Sequence, residues 1–379
     1  MTSPSCPPRI LPVDFWRGVC LLMIFVNHIP DNPLSFFTLR NWGFSDAAEI
    51  FVFLAGFSAA LSFEKYFRKG GFLCGVLRVA RRTWQLFCAH VLLIFALSLV
   101  IAVAGIFTDS KPIMEQLNFS PFFVETDVAI LRLVRLQYMP SMTDILPIYI
   151  VFVAMFPAIW LLMRFSPYAA LAASFAMWLW TNATGYSFPN YPEGSTWFFN
   201  PLAWQFMFVA GVFVANHGNR GADILRSRFL VFLSAGVVLA GILAAAPWVH
   251  YVPWSGVRLI PAEYLSLDNK GNLSAVRILH FAALLFLAAR LLPRAGGVWK
   301  TPGARLMIAV GQQPLPVYCM GVVLAQSAHI FLRMRGAGMA ETILVVAAGM
   351  AALVALALAL KKSLVILRRA DLQPTGVSP

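Results

Sequence analysis

The chain has 379 residues, 60% of them hydrophobic and 12% charged, and carries a net charge of +13. A soluble domain is roughly half apolar and a quarter charged, so this composition excludes one and implies an integral membrane protein. The positive charge is accounted for by topology and attraction to anionic membrane lipid, which leaves no nucleic acid among the expected partners.

Apolar runs long enough to cross a hydrocarbon core of about 30 Å recur along nearly the whole chain. They predict an all-α, polytopic membrane helix bundle of about ten transmembrane helices, forming a single domain. The centres fall near Leu22, Leu54, Phe95, Phe152, Phe175, Phe208, Leu239, Leu284, Met320 and Ala352. With both termini cytoplasmic, roughly 20 basic residues lie inside and roughly 9 outside, as the positive-inside rule requires. The segment before the first run lacks the layout of a cleaved leader, so the first span is expected to be retained. Cys6, Cys20, Cys74, Cys88 and Cys319 are odd in number and have no metal-ligand spacing, so neither a disulfide framework nor a metal site is expected. The outer segments at 31–45, 108–143, 184–200 and 247–274 hold aromatic and polar residues, His250 among them. They suit a carbohydrate or lipid headgroup, or simple anchoring at the interface. No inverted repeat of the transporter kind is visible.

Ionisable groups at membrane depth are costly and by default line a cavity or a path. In the first span, "DFWRGVCLLMIFVNH" places Arg17 and His28 on one face, roughly 16 Å apart along the axis. The second span opens with "SDAAEIFVFLAGF", where Asp46 and Glu49 share a face near the outer end, level with His28. A carboxylate that fixes an imidazole tautomer makes a general base, and it equally makes a structural tie between two helices. Asp144 in "TDILPIYIV" is a helix N-cap or a further site residue. Asn200 and Gln205 in "FFNPLAWQF" offer amides to substrate hydroxyls or to interhelical packing. His280, near Arg277 in "KGNLSAVRILHF", is a second-rank site residue. On the inner side, "LRVARRTWQ" gathers Arg78, Arg81, Arg82 and Gln85 on one helical face. Paired guanidinium donors recognise phosphate, so an anionic phosphorylated ligand or lipid headgroups fit there. Asp14 pairs locally with Arg17 at i,i+3 and can orient it toward the same ligand.

The run from Asp14 to Leu61, with "DILPIYIVFVAMFP", "FNPLAWQFMFVAG" and "KGNLSAVRILHFAALLFLAARLLP", resembles the OpgC family across most of the chain. That family is named for succinylation of osmoregulated periplasmic glucans, and it is similar, more distantly, to the acyltransferase-3 group of ten-span enzymes. The resemblance implies an acyl-CoA-dependent O-acyltransferase of the bacterial inner membrane. His28 falls on that group's first-span histidine, and Arg78 and Arg81 fall on its Arg-x-x-Arg motif for the acyl-CoA donor. The group usually has one acidic residue before the second apolar run, whereas Asp46 and Glu49 both stand here. The implied mechanism docks succinyl-CoA or acetyl-CoA at Arg17, Arg78, Arg81 and Arg82 and threads it toward His28. Held by Asp46 or Glu49, His28 deprotonates a glucan hydroxyl as it attacks the thioester, with Asp144 a further catalytic candidate. Asn27, Asn200 and Gln205 are the candidate oxyanion donors, and Lys270, Arg277 and Arg40 the candidate cations for a succinyl carboxylate. The rival reading is a proton-coupled carrier; the acyl group, the acceptor and the oligomeric state are left open.

Overall fold

A backbone break at Gly71 divides the longest helix, α2 (Ala47–Phe107), into two arms. Gly71 has φ 79°, a left-handed value that costs glycine little and other residues much. The bend therefore sits where the sequence supplies a Gly70-Gly71 pair. The first arm runs from Asp46 toward Gly71, and the second carries Arg78, Arg81 and Arg82. The two ends of the bundle are named here after Asp46 and Arg78.

The computed structural model describes residues 10–30, 32–218, 223–250, 268–293 and 296–370. Within them α1 (Leu11–Asn27) and α2 are followed by three short helices, α3 (Lys111–Gln116), α4 (Ser120–Val124) and α5 (Thr126–Val134). Then come α6 (Ile145–Phe165), α7 (Pro167–Thr184), α8 (Pro201–His217), α9 (Arg228–Ala245) and α10 (Ala275–Leu291). The last elements are α11 (Pro302–Gly311), α12 (Pro314–Arg335) and α13 (Met339–Ala370). A two-stranded antiparallel hairpin, Pro189–Asn190 against Ser195–Thr196, lies between α7 and α8. Residues 251–267, within an expected outer segment, and the His250 side chain lie outside the description, as does Cys6.

The chain is all-α, as expected, and each expected span centre falls inside a helix. Among the described residues, five helices are long and apolar enough to cross a membrane: α2, α6, α9, α12 and α13. At 61 residues, α2 is about 90 Å of helix, enough for a crossing in each arm. α1, α8 and α10 have 17 residues each, about 25 Å. Two features add to the sequence reading. The outer segment 108–143 carries three short helices, α3 to α5, and Arg333 of α12 reaches Gln116 of α3 at 3.1 Å. Ahead of the expected span near Met320, α11 forms a separate helix, because Gln313 leaves the helical region at φ −123°, ψ 53° and Pro314 has no N–H to continue it.

α2 packs along α8, α6, α1 and α12, and α1 is crossed by α11. Small residues permit two backbone-to-backbone approaches. A Cβ on Gly56 of α2 would strike the Phe208 carbonyl of α8, and one on Gly211 of α8 would strike the Phe53 carbonyl of α2. Gly18 and Gly311 make the equivalent pair between α1 and α11, against Met307 and Asp14. Helices associate in lipid through such close packing, since apolar area alone gives no preference for protein over acyl chain. Gly211→Leu is expected to force α2 and α8 apart and to destabilise the fold by about 1–3 kcal/mol or more. Gly236→Ala, in open space on α9, should match or slightly exceed wild type. Thermal unfolding in detergent measures both, and an unshifted Gly211→Leu protein would refute the crossing.

Candidate functional site

Asp46 and Glu49 open α2 as a reciprocal capping box. The Asp46 carboxylate accepts from Ala48 N at 2.8 Å, and the Glu49 carboxylate accepts from Asp46 N at 2.8 Å. The S/T/D-x-x-E spacing is the signature of that motif, and it accounts for the two acids standing three residues apart. Their remaining oxygens face cations from the turn before α10 and its first turns. Lys270 Nζ donates to Asp46 Oδ2 at 2.6 Å, and Arg277 Nε donates to Glu49 Oε1 at 2.6 Å. Arg277 also donates from Nη1 to Asp268 at 2.9 and 3.2 Å, and its Nη2 stands 3.5 Å from Asp46. Glu49 is 0% exposed and Arg277 4%, so the pair is sealed from water. Asp268 belongs to this network although the sequence reading did not single it out.

The turn carrying Lys270 is held by two buried indoles. Trp204 of α8 donates Nε1 to the carbonyls of Lys270 and Gly271 at 3.0 and 3.1 Å, and Trp178 of α7 donates to Leu273 O at 2.8 Å. Asn200, the N-cap of α8, accepts from Leu202 N at 3.1 Å. Its amide donates to Tyr186 O and Asn272 Oδ1 at 2.6 and 3.0 Å. Gln205 is tied to Ser174 of α7 at both amide atoms, 2.6 and 2.8 Å. Asn27 accepts from Thr38 at 2.8 Å. The donor groups of Asn200 and Gln205 are thus engaged within the protein, because helix starts and interhelical polar contacts must be satisfied where water is absent, whereas Asn27 is held through its oxygen alone.

The carboxylate hold expected on His28 is not made. Neither Asp46 nor Glu49 forms an ion pair or hydrogen bond with it, since both are drawn to full cations rather than to a neutral ring. Nδ1 of His28 is buried with no partner among the described residues. The carboxylates share their cations: Asp46 meets both Lys270 and Arg277, and Glu49 meets Arg277. Asp144 occupies the N-cap position of α6 but makes no capping bond to the helix; its carboxylate lies against the backbone of Met142 and its own amide. His280 meets Ser45 Oγ through Nδ1 at 2.7 Å, with its ring against Gly43 and Gly241. Lys270 keeps 31% of its side chain exposed, whereas Arg277 is committed to three carboxylates.

Toward the Arg78 end the bundle encloses a cavity of about 790 Å³. Arg17, Arg78, Arg81, Arg82 and Gln85 all line it, joined by Lys65, which the sequence reading did not single out. The Tyr66 ring lies between Lys65 and Arg78, 5.0 and 5.1 Å from their charges. Arg17 pairs with Asp14 at 3.5 Å and bonds Ser58, so α1 and α2 are tied at the cavity wall. From Tyr66 the lining follows the first arm of α2 to Phe51, about 22 Å along its axis. There it meets Ile145 and Leu146, the first two residues of α6, and Tyr318 of α12. Phosphate-sized cationic groups at one end and a long, largely apolar passage to the other suit an anionic head carrying an extended arm.

Removing one member of a buried ion network leaves the others uncompensated, and costs about 3–5 kcal/mol. Arg277→Ala is expected to lose that much, and adding Glu49→Gln to it should recover part of the loss. Melting curves of the single and double variants decide it; identical curves would show that Glu49 does not depend on Arg277.

A family described as OpgC protein matches residues 9–364, nearly the whole chain. No curated protein and no solved structure matches it. The match runs through the ion network, the uncommitted His28 and the arginine-lined cavity together, and on that span the chain belongs to the OpgC family.

Proposed function

We propose that this chain is a membrane O-acyltransferase that moves a succinyl or acetyl group from cytoplasmic acyl-CoA to hydroxyls of a periplasmic glucan. Family membership implies an acyltransferase of the glucan succinyltransferase type. The observation that carries the donor assignment is the cavity, basic where Arg78, Arg81 and Arg82 line it and apolar along α2. In this reading the chain crosses the bacterial inner membrane ten times with both termini cytoplasmic. The Arg78 end then faces the cytoplasm, where acyl-CoA is made, and the Asp46 end faces the glucan.

The nucleotide docks on the guanidinium cluster, and the acyl-bearing arm follows the first arm of α2. His28 accepts the proton of an acceptor hydroxyl as its oxygen forms a bond to the thioester carbon. The carbon–sulfur bond breaks, the thiolate takes that proton, and a sugar ester and free CoA leave. Lys270, exposed beside Asp46, is the cation best placed to attract an anionic acyl group. A second assignment of the base is Asp144, favoured by its position next to Ile145 and Leu146 in the cavity wall.

Mass spectrometry of periplasmic glucans from cells lacking the gene, complemented by wild type or variants, tests the reading. A succinyl or acetyl increment is expected with wild type and absent with His28→Ala, while Asp144→Asn retains it. The reverse pattern would move the base to Asp144. Stoichiometric acylation of purified acceptor separates the enzyme from a carrier, which makes no new bond. Arg78→Ala with Arg81→Ala should raise KM for acyl-CoA by about tenfold or more, since each charged hydrogen bond contributes about 1.5–3 kcal/mol; an unchanged KM would remove the docking site.

A further inference from the structure

The acyl-transfer reading needs a donor for the oxygen of the reacting carbonyl; the amide NH2 groups of Asn200 and Gln205 are spent on Tyr186, Asn272, Ser174 and Leu202, and Asn27, whose oxygen accepts from Thr38, does not line the cavity. The deep end of the cavity holds a different donor. Tyr318 lines it from α12, is 3% exposed, and its hydroxyl has no hydrogen-bond partner among the described residues. A buried hydroxyl without a partner is disfavoured, and it persists where something outside the protein completes it. Beside it is the start of α6: Ile145 and Leu146 are in the wall, and no side chain caps the helix. Those first amides carry the positive end of a helix of 21 residues, and Pro147 removes the next N–H, leaving the donors grouped in the first two positions. The Ile145 backbone of that first turn lies against the phenol oxygen, so the two donor groups stand side by side, and the Asp144 carboxylate accepts no bond from the phenol.

We infer that the Tyr318 hydroxyl, together with the uncapped first turn of α6, binds the thioester carbonyl oxygen of the acyl donor and stabilises the oxyanion that forms when the acceptor attacks. This rests on the acyl-CoA reading and adds to it the place along the cavity where the carbonyl stops. The phenol donates a hydrogen bond and keeps its proton throughout; the proton of the acceptor passes through the base to the leaving thiolate. Because the group recognised is the carbonyl, the effect is common to succinyl and acetyl donors.

Tyr318→Phe removes the hydroxyl alone. Affinities for CoA, succinyl-CoA and acetyl-CoA would be measured calorimetrically on purified wild type and variant in detergent, with turnover and melting temperature. Wild type is expected to bind both acyl donors roughly tenfold more tightly than CoA, which lacks the carbonyl. In Tyr318→Phe that preference disappears, affinity for CoA is unchanged, turnover falls on the order of 100-fold, and melting temperature holds or rises. Retained preference and turnover would overturn the inference while leaving the acyl-CoA reading intact. A large drop in melting temperature would overturn it too, by assigning the hydroxyl a structural role. Wild type that binds none of the three ligands would fail the acyl-CoA reading itself, and the inference with it.

Discussion

The interaction between Glu49 and Arg277 governs the Asp46 end of the molecule. A fully buried carboxylate is strongly disfavoured unless a cation and hydrogen bonds complete it, and Arg277 provides both through Nε. Everything around that contact is arranged to deliver Arg277 to Glu49. α2 begins where its capping box fixes the Glu49 rotamer, and α10 begins where two indoles and Asn182 secure the preceding turn. Lys270 then falls on Asp46 as a consequence of the same turn. The network joins helices far apart in sequence, so it aligns the site as well as balancing its charge.

The charges are divided along the bundle. At the Arg78 end the cations stand in a cavity with few acidic neighbours, and Arg17 alone is paired with Asp14. At the Asp46 end the cations are matched by three carboxylates. An anionic ligand is therefore drawn strongly to one end, where guanidinium groups have donors to spare, and only by Lys270 at the other. Such a gradient seats a phosphorylated head without trapping it at depth.

Much of the helical layout was legible in the sequence because apolar runs about 20 residues long have few alternatives in a bilayer. The arginine cluster was legible for a similar reason: Arg78, Arg81, Arg82 and Gln85 share a helical face, and a face predicts neighbours. The partners of Asp46 and Glu49 were not. Lys270 and Arg277 lie more than 200 residues away, and helix periodicity carries no information about which helices touch. The capping box was available as a local pattern and explains the i,i+3 acids better than a shared catalytic face does. Asn200 and Gln205 were correctly placed at a helix start, but only the surrounding carbonyls and Ser174 reveal that their amides are spent. Tyr318 looked like one more aromatic in an apolar run; its unpartnered hydroxyl exists only in three dimensions.

The crossing of α2 and α8, where Gly56 meets the Phe208 backbone and Gly211 the Phe53 backbone, has a bearing on charges it never touches. From that crossing, α2 rises about 15 Å to Asp46, and α8 rises about as far to Asn200 and the turn that carries Lys270. The two halves of the ion network are thus mounted on two rods clamped together at one point. Sliding α8 along α2 by one residue would displace them by about 1.5 Å, enough to stretch a 2.6 Å bridge to 4 Å. The glycine pair works as a gauge block: by letting two backbones touch, it sets the spacing of opposite charges at the far end of both helices.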